Sequence, residues 1–432
     1  MRVKIKTLGC KVNYVESLAL AEKLQKEGFE IVDDEVCDIF ILNSCSVTNE
    51  SDKKSRQALS RNRKINPDNY SIIMGCYSQV SKDELLDNKN VNLVLGNKNK
   101  LDIEYLKKLK SGEFVLKDQV HDISNYKEFE DEPLYGKGNK TRGFIKIEDG
   151  CNNFCSYCII PYARGRVRSR DMDSIENEAN YLKNYAKEIV VTGIEVASYG
   201  EDLKNGVKLI DVVEKIAHTA PNSRIRMSSL EISIITEDFL KRLKALDNFC
   251  EHLHLSLQSG SDTILKAMNR KYNKAIFKEK VDMIRNYFPN AGITTDIITG
   301  FPEETEANHE ETISYLKEIM FSRIHIFPYS IRKGTPAAGM KQVDGNIKNR
   351  RKKELETLND KLERDFLLKQ QNLENYALIE DVTDGNLVGY TDNYVRVSLP
   401  QSEYPDIEQN EIVPVMFKIE GGEEKWIVCS AK

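Results

Sequence analysis

The chain has 432 residues and a formal charge of −5, with 40 % hydrophobic and 30 % charged residues. Such a length holds about two or three domains with cores of their own, and the near balance of charge leaves nucleic-acid binding to local basic patches. No run approaches roughly 18 apolar residues, and the start, MRVKIKTLGC, has no apolar leader, so neither export nor membrane insertion is expected. Nine cysteines, an odd number, fit a reducing cytoplasm and metal ligation better than a disulfide framework.

The first 120 residues read as an open, mostly parallel α/β sheet. Val3–Thr7 is a strand, Asn13–Glu27 an amphipathic helix with Val15, Leu18, Ala21 and Leu24 at helical spacing, and Gly28 its stop. Ile39–Asn43 is a buried strand, Asn49–Ile65 a helix, and Ser71–Met74 and Val91–Leu95 short apolar strands separated by a Ser81-capped helix. Cys10, Cys45 and Cys76 each follow the carboxyl end of a strand, the edge at which open α/β sheets bind ligands. Three thiols so placed can converge, although any one of them can equally be a buried small hydrophobe. Cys37 precedes its strand and reads as a packing residue. Residues 102–140 are polar, with one helix near Asp102–Lys110, and 121–140 form a linker.

From Thr141 to residue 368 the alternation resumes at longer spacing. Strands are expected at Gly143–Ile147, Glu188–Thr192, Arg224–Ser228, His252–Leu257, Thr294–Thr299 and Arg323–Pro328. Helices fall at Met172–Tyr185, Leu209–His218, Thr236–Asp247, Thr263–Tyr287 (broken near Asn269) and Glu306–Met320. Six βα units fall two short of a closed eight-stranded barrel, so a partial (βα)6 barrel with a lateral opening is the reading. The loop after its first strand, GCNNFCSYC, carries Cys151, Cys155 and Cys158 at the carboxyl face, where barrel chemistry is built. A cubane [4Fe–4S] cluster takes four ligands, so three thiolates leave one iron open for a small molecule. A zinc site is the competing reading, and it needs a fourth ligand; neither His nor Cys occurs between Ile159 and His218. The same face carries Gly193 in VTGIEV, Gln258 and Ser259 in LQSGS, and Asp296 to Pro302, with Gly300 and Pro302 in a tight turn. Arg164, Arg166, Arg168 and Arg170 follow the cysteine loop at alternate positions, suited to an anionic substrate.

A charged helix near Ile347–Leu368 leads to residues 369–432, where five strand-like runs separated by Asp-Gly, Asp-Asn and Gly-Gly turns suggest a small antiparallel barrel. From 370 onward twelve Asp and Glu face four Lys and Arg, a charge that would repel a phosphate backbone. Cys429 is not expected to ligate.

TLGCKVNYVES, LNSC and MGC in the first unit, GCNNFCSYCIIPYARG in the second, and the terminal small barrel together resemble the radical SAM methylthiotransferase family over essentially the whole chain. The resemblance implies an N-terminal methylthiotransferase domain, a radical SAM core and a TRAM domain. It also implies two [4Fe–4S] clusters, one on Cys10, Cys45 and Cys76 and the other on the catalytic Cys151, Cys155 and Cys158. Gly193, Gln258, Ser259, Asp296, Gly300 and Pro302 would line the pocket for S-adenosylmethionine (SAM). The family inserts sulfur at an unactivated C–H carbon and methylates it. Its branches act on isopentenyladenosine in tRNA, on threonylcarbamoyladenosine in tRNA, or on an aspartate of a ribosomal protein; HLHLSLQSGSDTILKAMNRKY and TLGCKVN resemble the threonylcarbamoyladenosine branch. Implied partners are the anticodon stem-loop of tRNA, held near Arg164 to Arg170, and a low-potential electron donor such as flavodoxin or ferredoxin. A cytoplasmic monomer is expected.

Overall fold

In the computed structural model, which describes residues 1–98, 100–113, 115–131, 133–134 and 141–429, the N-terminal strands form one parallel sheet. Its elements are β1 (Arg2–Thr7), α1 (Lys11–Lys26), β2 (Glu30–Ile31), β3 (Ile39–Ser44), α2 (Asn49–Ile65), β4 (Tyr70–Gly75), α3 (Cys76–Val80), α4 (Lys82–Leu86), β5 (Leu93–Leu95), α5 (Glu104–Ser111) and β6 (Asp118–Gln119), with strand order β2-β1-β3-β4-β5-β6. Alternation along the central strands sends Ile39, Ile41, Ile72 and Met74 toward α1 and α5, and Phe40, Leu42 and Ile73 toward α2 and α4. Both faces are therefore buried, which is why the strands read as unbroken apolar runs. Cys37 packs in the second of these clusters, and Asn69 Nδ2 donates to its sulfur at 3.5 Å. Two details differ from expectation. Ser81 stands at the start of α4, but its hydroxyl makes no capping bond. The polar stretch 102–140 also supplies β6, just ahead of the expected linker, a two-residue edge strand paired with β5 and too short to leave a pattern. Residues 132 and 135–140 of the expected 121–140 linker lie outside the described residues.

The central barrel strands are β7 (Arg142–Lys146), β10 (Glu188–Thr192), β11 (Arg224–Met227), β12 (His252–Gln258), β13 (Gly292–Thr299) and β14 (Arg323–Pro328). A short antiparallel pair, β8 (Glu148–Asp149) and β9 (Arg168–Ser169), brackets the cysteine loop and α6 (Ile160–Arg164). Helices α7 (Met172–Leu182), α8 (Leu209–Thr219), α9 (Glu237–Lys244), α10 (Asp262–Ala267), α11 (Lys274–Tyr287), α12 (Glu306–Ile319) and α13 (Gly345–Lys369) follow in turn. Asn269, at φ +60°, makes the expected break between α10 and α11. The six strands run parallel in two ladders, β7-β10-β11 and β12-β13-β14, joined by single bridges at Ile225–Phe249 and Leu230–Leu255. Ile145, Ile189, Val191, Ile225, Leu253, Leu255 and Ile324 point outward into the helix layer. Their neighbours point inward, and many of those are polar: Glu188, Arg226, His252, His254, Thr294, Asp296 and His325 bond or stack with one another across the hollow.

The C-terminal strands β15 (Glu374–Thr383), β16 (Asn386–Thr391), β17 (Arg396–Pro400), β18 (Ile412–Glu420) and β19 (Glu423–Val428) form an antiparallel sheet ordered β17-β16-β15-β18-β19. Its outer strands, β17 and β19, approach each other, so the sheet curls around Ala377, Ile379, Leu387, Val397, Leu399 and Val415. The β16–β17 turn seats against the amino end of the barrel strands. There Tyr394 stacks on His252 with centroids 4.5 Å apart, and Arg226 donates to the carbonyls of Thr391 and Asp392. A side chain on Gly292 would lie 2.0 Å from the Asn393 carbonyl oxygen, so glycine permits this contact. Among the described residues no helix is long and apolar enough to cross a membrane.

Candidate cluster and cofactor site

The three N-terminal thiols are set by strand ends. Cys10 caps α1, Cys45 follows β3 and Cys76 opens α3. Gly9, at φ +121°, lets the first loop pass over Cys45: an added Cβ would meet Cys45 Cβ at 2.7 Å. Burial pushes the thiols of Cys10 and Cys45 up, Cys45 to about 12, and the nearby Cys76 adds to both shifts. Cys10 and the adjacent Lys11 are exposed by surface area yet hemmed in by protein, so both line a hollow that water can enter. Burial, then Arg142 and Arg226, push the Lys11 ammonium down to about 8.

Between this trio and the barrel lies a buried ionic cluster. Arg164, wholly inaccessible, donates to Glu16 (2.6 Å), Asp149 (3.1 Å) and Asn13 Oδ1 (2.7 Å), while its Nε points at Cys76 Sγ (3.4 Å). Lys100 and Lys146 also converge on Glu16, at 2.6 and 2.9 Å. Burial alone would push Glu16 up, but Arg164, Lys100 and Lys146 overcome it and hold the carboxylate well below its usual range. Asn97 donates to the Ala163 carbonyl (2.7 Å) and lies 3.8 Å from Cys76 Sγ. The loop that carries the second trio thus reaches back to a thiol of the first.

The second trio is shaped by a glycine turn. At Gly150, φ is +89° and an added Cβ would sit 2.0 Å from the Arg166 carbonyl oxygen. Cys151 N–H donates to the Gly165 carbonyl at 3.1 Å, closing the loop at its base. Burial pushes Cys151 well up and Cys158 to about 12, and Arg270 Nη1 donates to Cys155 Sγ at 3.3 Å. The three thiols open on a cavity of about 370 Å³ walled by Glu195, Ser256, Gln258, Asp296 and Tyr329, with Val47 and Thr48 of the N-terminal sheet domain on its rim. Glu148 Oε2 accepts the backbone N–H groups of Ile194 (2.9 Å) and Glu195 (2.7 Å), which fixes the loop after β10. Burial, then the Glu231 carboxylate, push Glu195 up to about 7. Gln258 ends β12 at φ +71°, a strained backbone held at the cavity wall.

A model of the radical SAM superfamily matches residues 145–316, and one of the uncharacterized protein family UPF0004 matches residues 2–96. The chain is 38 % identical to the threonylcarbamoyladenosine tRNA methylthiotransferase MtaB of Bacillus subtilis (strain 168), over 93 % of this chain and 91 % of that protein. It is 36 % identical to MtaB of Aquifex aeolicus (strain VF5), over 92 % and 96 %. It is also 35 % identical to a tRNA-2-methylthio-N(6)-dimethylallyladenosine synthase of Azobacteroides pseudotrichonymphae, over 84 % and 82 %. This chain belongs to the radical SAM methylthiotransferase family.

As a methylthiotransferase it is an enzyme, a transferase, and its cofactors are SAM and two [4Fe–4S] clusters. A radical SAM methyltransferase, TsrM from Kitasatospora setae, shares the fold, with a TM-score of 0.61 at 14 % identity over 78 % of this chain and 77 % of that one. Two sets of three thiols, each with a buried guanidinium aimed at one sulfur, fit clusters that need thiolates stabilised by donors. Among the described residues no three His, Cys, Asp or Glu side chains stand close enough to hold a single ion. A cubane instead takes one thiolate per iron at separate corners.

Of the residues expected to line the methylthiotransferase's SAM pocket, Gln258 and Asp296 wall the cavity. Gly193, Ser259, Gly300 and Pro302 do not. The Cβ position of Gly193 is filled by Glu148 Oε2 at 2.8 Å, Ser259 is buried against Ser261, and Gly300 and Pro302 turn away toward α13 and the protein interior. The four arginines do not point one way as an extended chain would have them. Arg164 belongs to the Glu16 cluster, Arg168 is buried and donates to the carbonyls of Arg164 and Arg166, and Arg170 is buried against Glu178 and Asp131. Arg166 is exposed, stacked 4.3 Å from the Phe154 ring centroid. Acidic neighbours captured three of the four, which removes them as free phosphate contacts. Glu16, Lys100, Glu195 and Arg270 escaped notice in the sequence. For Glu16 a signal existed: it falls on the buried α1 stripe Val12–Glu16–Leu20–Leu24, where a carboxylate needs a partner.

Proposed function

We propose that this chain inserts sulfur at C2 of threonylcarbamoyladenosine in tRNA and methylates it, consuming one SAM as methyl donor and one as radical source. Supporting this reading above all is the union of two three-thiol sites, one per sheet, through a single loop whose Arg164 touches the far trio. Cys151, Cys155 and Cys158 would hold the SAM-binding cluster, and Cys10, Cys45 and Cys76 the second. Bound there, the SAM-binding cluster would supply the low-potential electron for reductive cleavage of SAM, radical chemistry able to take hydrogen from a carbon no side-chain base could deprotonate.

The protein's own work is positioning and exclusion. Gln258, Ser256 and Asp296 present polar groups to SAM along one wall, and the Glu195 carboxyl, pushed up by burial and the Glu231 carboxylate, stands beside them. Arg270 holds Cys155, and Arg332 ties the barrel to Ser46 and Asp52 (2.7 Å) beside Cys45, so the N-terminal sheet domain shields the cavity from water. The MtaB relatives, near full length, favour threonylcarbamoyladenosine over the dimethylallyl substrate named for the Azobacteroides protein. The enzyme acts in the cytoplasm as a monomer, reduced by a flavodoxin- or ferredoxin-like donor. Mass spectrometry of tRNA nucleosides from cells lacking the gene tests the reading. 2-Methylthio-N6-threonylcarbamoyladenosine should vanish; its persistence, with loss of the isopentenyl analogue or of a ribosomal-protein modification instead, would assign another branch.

A further inference from the structure

The floor of the barrel hollow gathers four basic side chains against three carboxylates. Arg142, Arg224 and Arg226 converge on Glu188, with nitrogen–oxygen distances of 2.7, 2.6 and 2.9 Å. Arg142 also meets Glu380, and Arg224 lies in the field of Asp392, so three guanidiniums are matched by three carboxylates. Lys11 is the remainder. It opens α1 beside Cys10, on a helix that packs against β7 and β10 through Tyr14 and Val15, and so lies in the field of Arg142, Glu188 and Arg226. Among the described residues its ammonium has no hydrogen bond or ion pair, and it is accessible from the hollow. An ammonium that lies in the field of two guanidiniums gains when an anion joins it.

We propose that Lys11 binds the carboxylate of the substrate's threonylcarbamoyl group, making the barrel floor a carboxylate subsite that selects this adenosine. The proposal rests on the reading given under Proposed function and adds the residue that recognises the side chain. In the substrate the carboxylate is joined to the ring through the threonine Cα and the ureido linkage on N6, and Lys11 is the next residue to Cys10, so pairing at Lys11 would hold the N1–C2 edge of the ring toward the N-terminal thiols. An isopentenyl group has no anion to offer Lys11 in the field of Arg142 and Arg226. The same cation thus attracts one adenosine and disfavours the other.

The test uses the full chain reconstituted with both clusters and anticodon stem-loops bearing adenosine, threonylcarbamoyladenosine, or its carboxyl methyl ester. Wild type should bind the free carboxylate roughly 10- to 100-fold more tightly than the ester, the worth of one charge-assisted contact. Lys11→Met should abolish that preference and Lys11→Arg restore most of it, at unchanged iron content. An ester bound as tightly as the acid by wild type overturns the subsite without recourse to any variant, as does a Lys11→Met protein that keeps both its iron and the preference. Failure of wild type to methylthiolate the threonylcarbamoyl stem-loop at all would instead overturn the functional reading.

Discussion

Arg164 shows how much one side chain can be asked to do. Its guanidinium neutralises Glu16 and Asp149, holds Asn13, and donates to Cys76 sulfur from a different domain. Replacing it by methionine leaves two buried carboxylates facing only Lys100, Lys146 and Arg168, and removing one partner of such a set costs about 3–5 kcal/mol. The expected result for Arg164→Met is a lower unfolding temperature and, in reconstituted protein, a more negative reduction potential for the N-terminal cluster, since a donor to sulfur stabilises the reduced state. Calorimetry and an EPR-monitored redox titration check the two parts; an unmoved potential would reduce Arg164 to a structural residue. In sequence, Arg164 reads with Arg166, Arg168 and Arg170 as one basic run. Spacing gives the charges but not their partners, because Glu16 and Asp149 reach Arg164 from other elements.

At the scale of elements, the alternation of β12, HLHLSLQ, was legible because each face obeys a different solvent. Leucines meet the helix layer, while His252, His254 and Ser256 meet the hollow. The placement of Cys10, Cys45 and Cys76 after strand ends was legible for the same reason, since apolar runs mark where each strand stops. Short polar pairings such as β6, β8 and β9 were not, being two residues each. Yet β8 and β9 brace the cysteine loop, and Gly150 lets their connection pass. Gly150→Ala would be doubly penalised, by a left-handed backbone and by a Cβ 2.0 Å from the Arg166 carbonyl oxygen. Of about eight irons in reconstituted protein, the variant should lose roughly half, as should Cys151→Ala, whose N-terminal cluster stays intact. Iron analysis with absorption at the cluster bands decides; full loading of Gly150→Ala would mean that the loop has slack.

For the whole molecule the decisive contacts lie between sheets. Glu188 joins Arg142, Arg224 and Arg226, and those arginines in turn meet Glu380 and the carbonyls of Tyr376, Tyr390, Thr391 and Asp392. Burial alone would raise the Glu188 pKa, but Arg226, Arg224 and Arg142 hold it well below the usual carboxylate range. A depressed folded-state pKa contributes stability above the unfolded value, near 4.3, that is lost as pH falls through the folded one. Glu188→Gln should therefore be about 3–5 kcal/mol less stable at neutral pH, with the gap narrowing as acid protonates the wild-type carboxylate. Denaturant midpoints at pH 7 and across the acid limb read this directly, and a gap independent of pH would refute the ionic account. Nothing in the strand EIVVT announces that role. A glutamate at a strand start looks like surface until the acidic C-terminal sheet is seen covering it.

The Glu16–Arg164 contact also bears on heredity. Because α1 and the cysteine loop share buried counter-ions, neither the N-terminal unit nor the barrel is a free-standing module that recombination could exchange alone. A chimera joining residues 1–120 of this chain to a relative's barrel should load iron only when the incoming loop brings an arginine to meet Glu16, so the smallest exchangeable unit is the ion set rather than the domain.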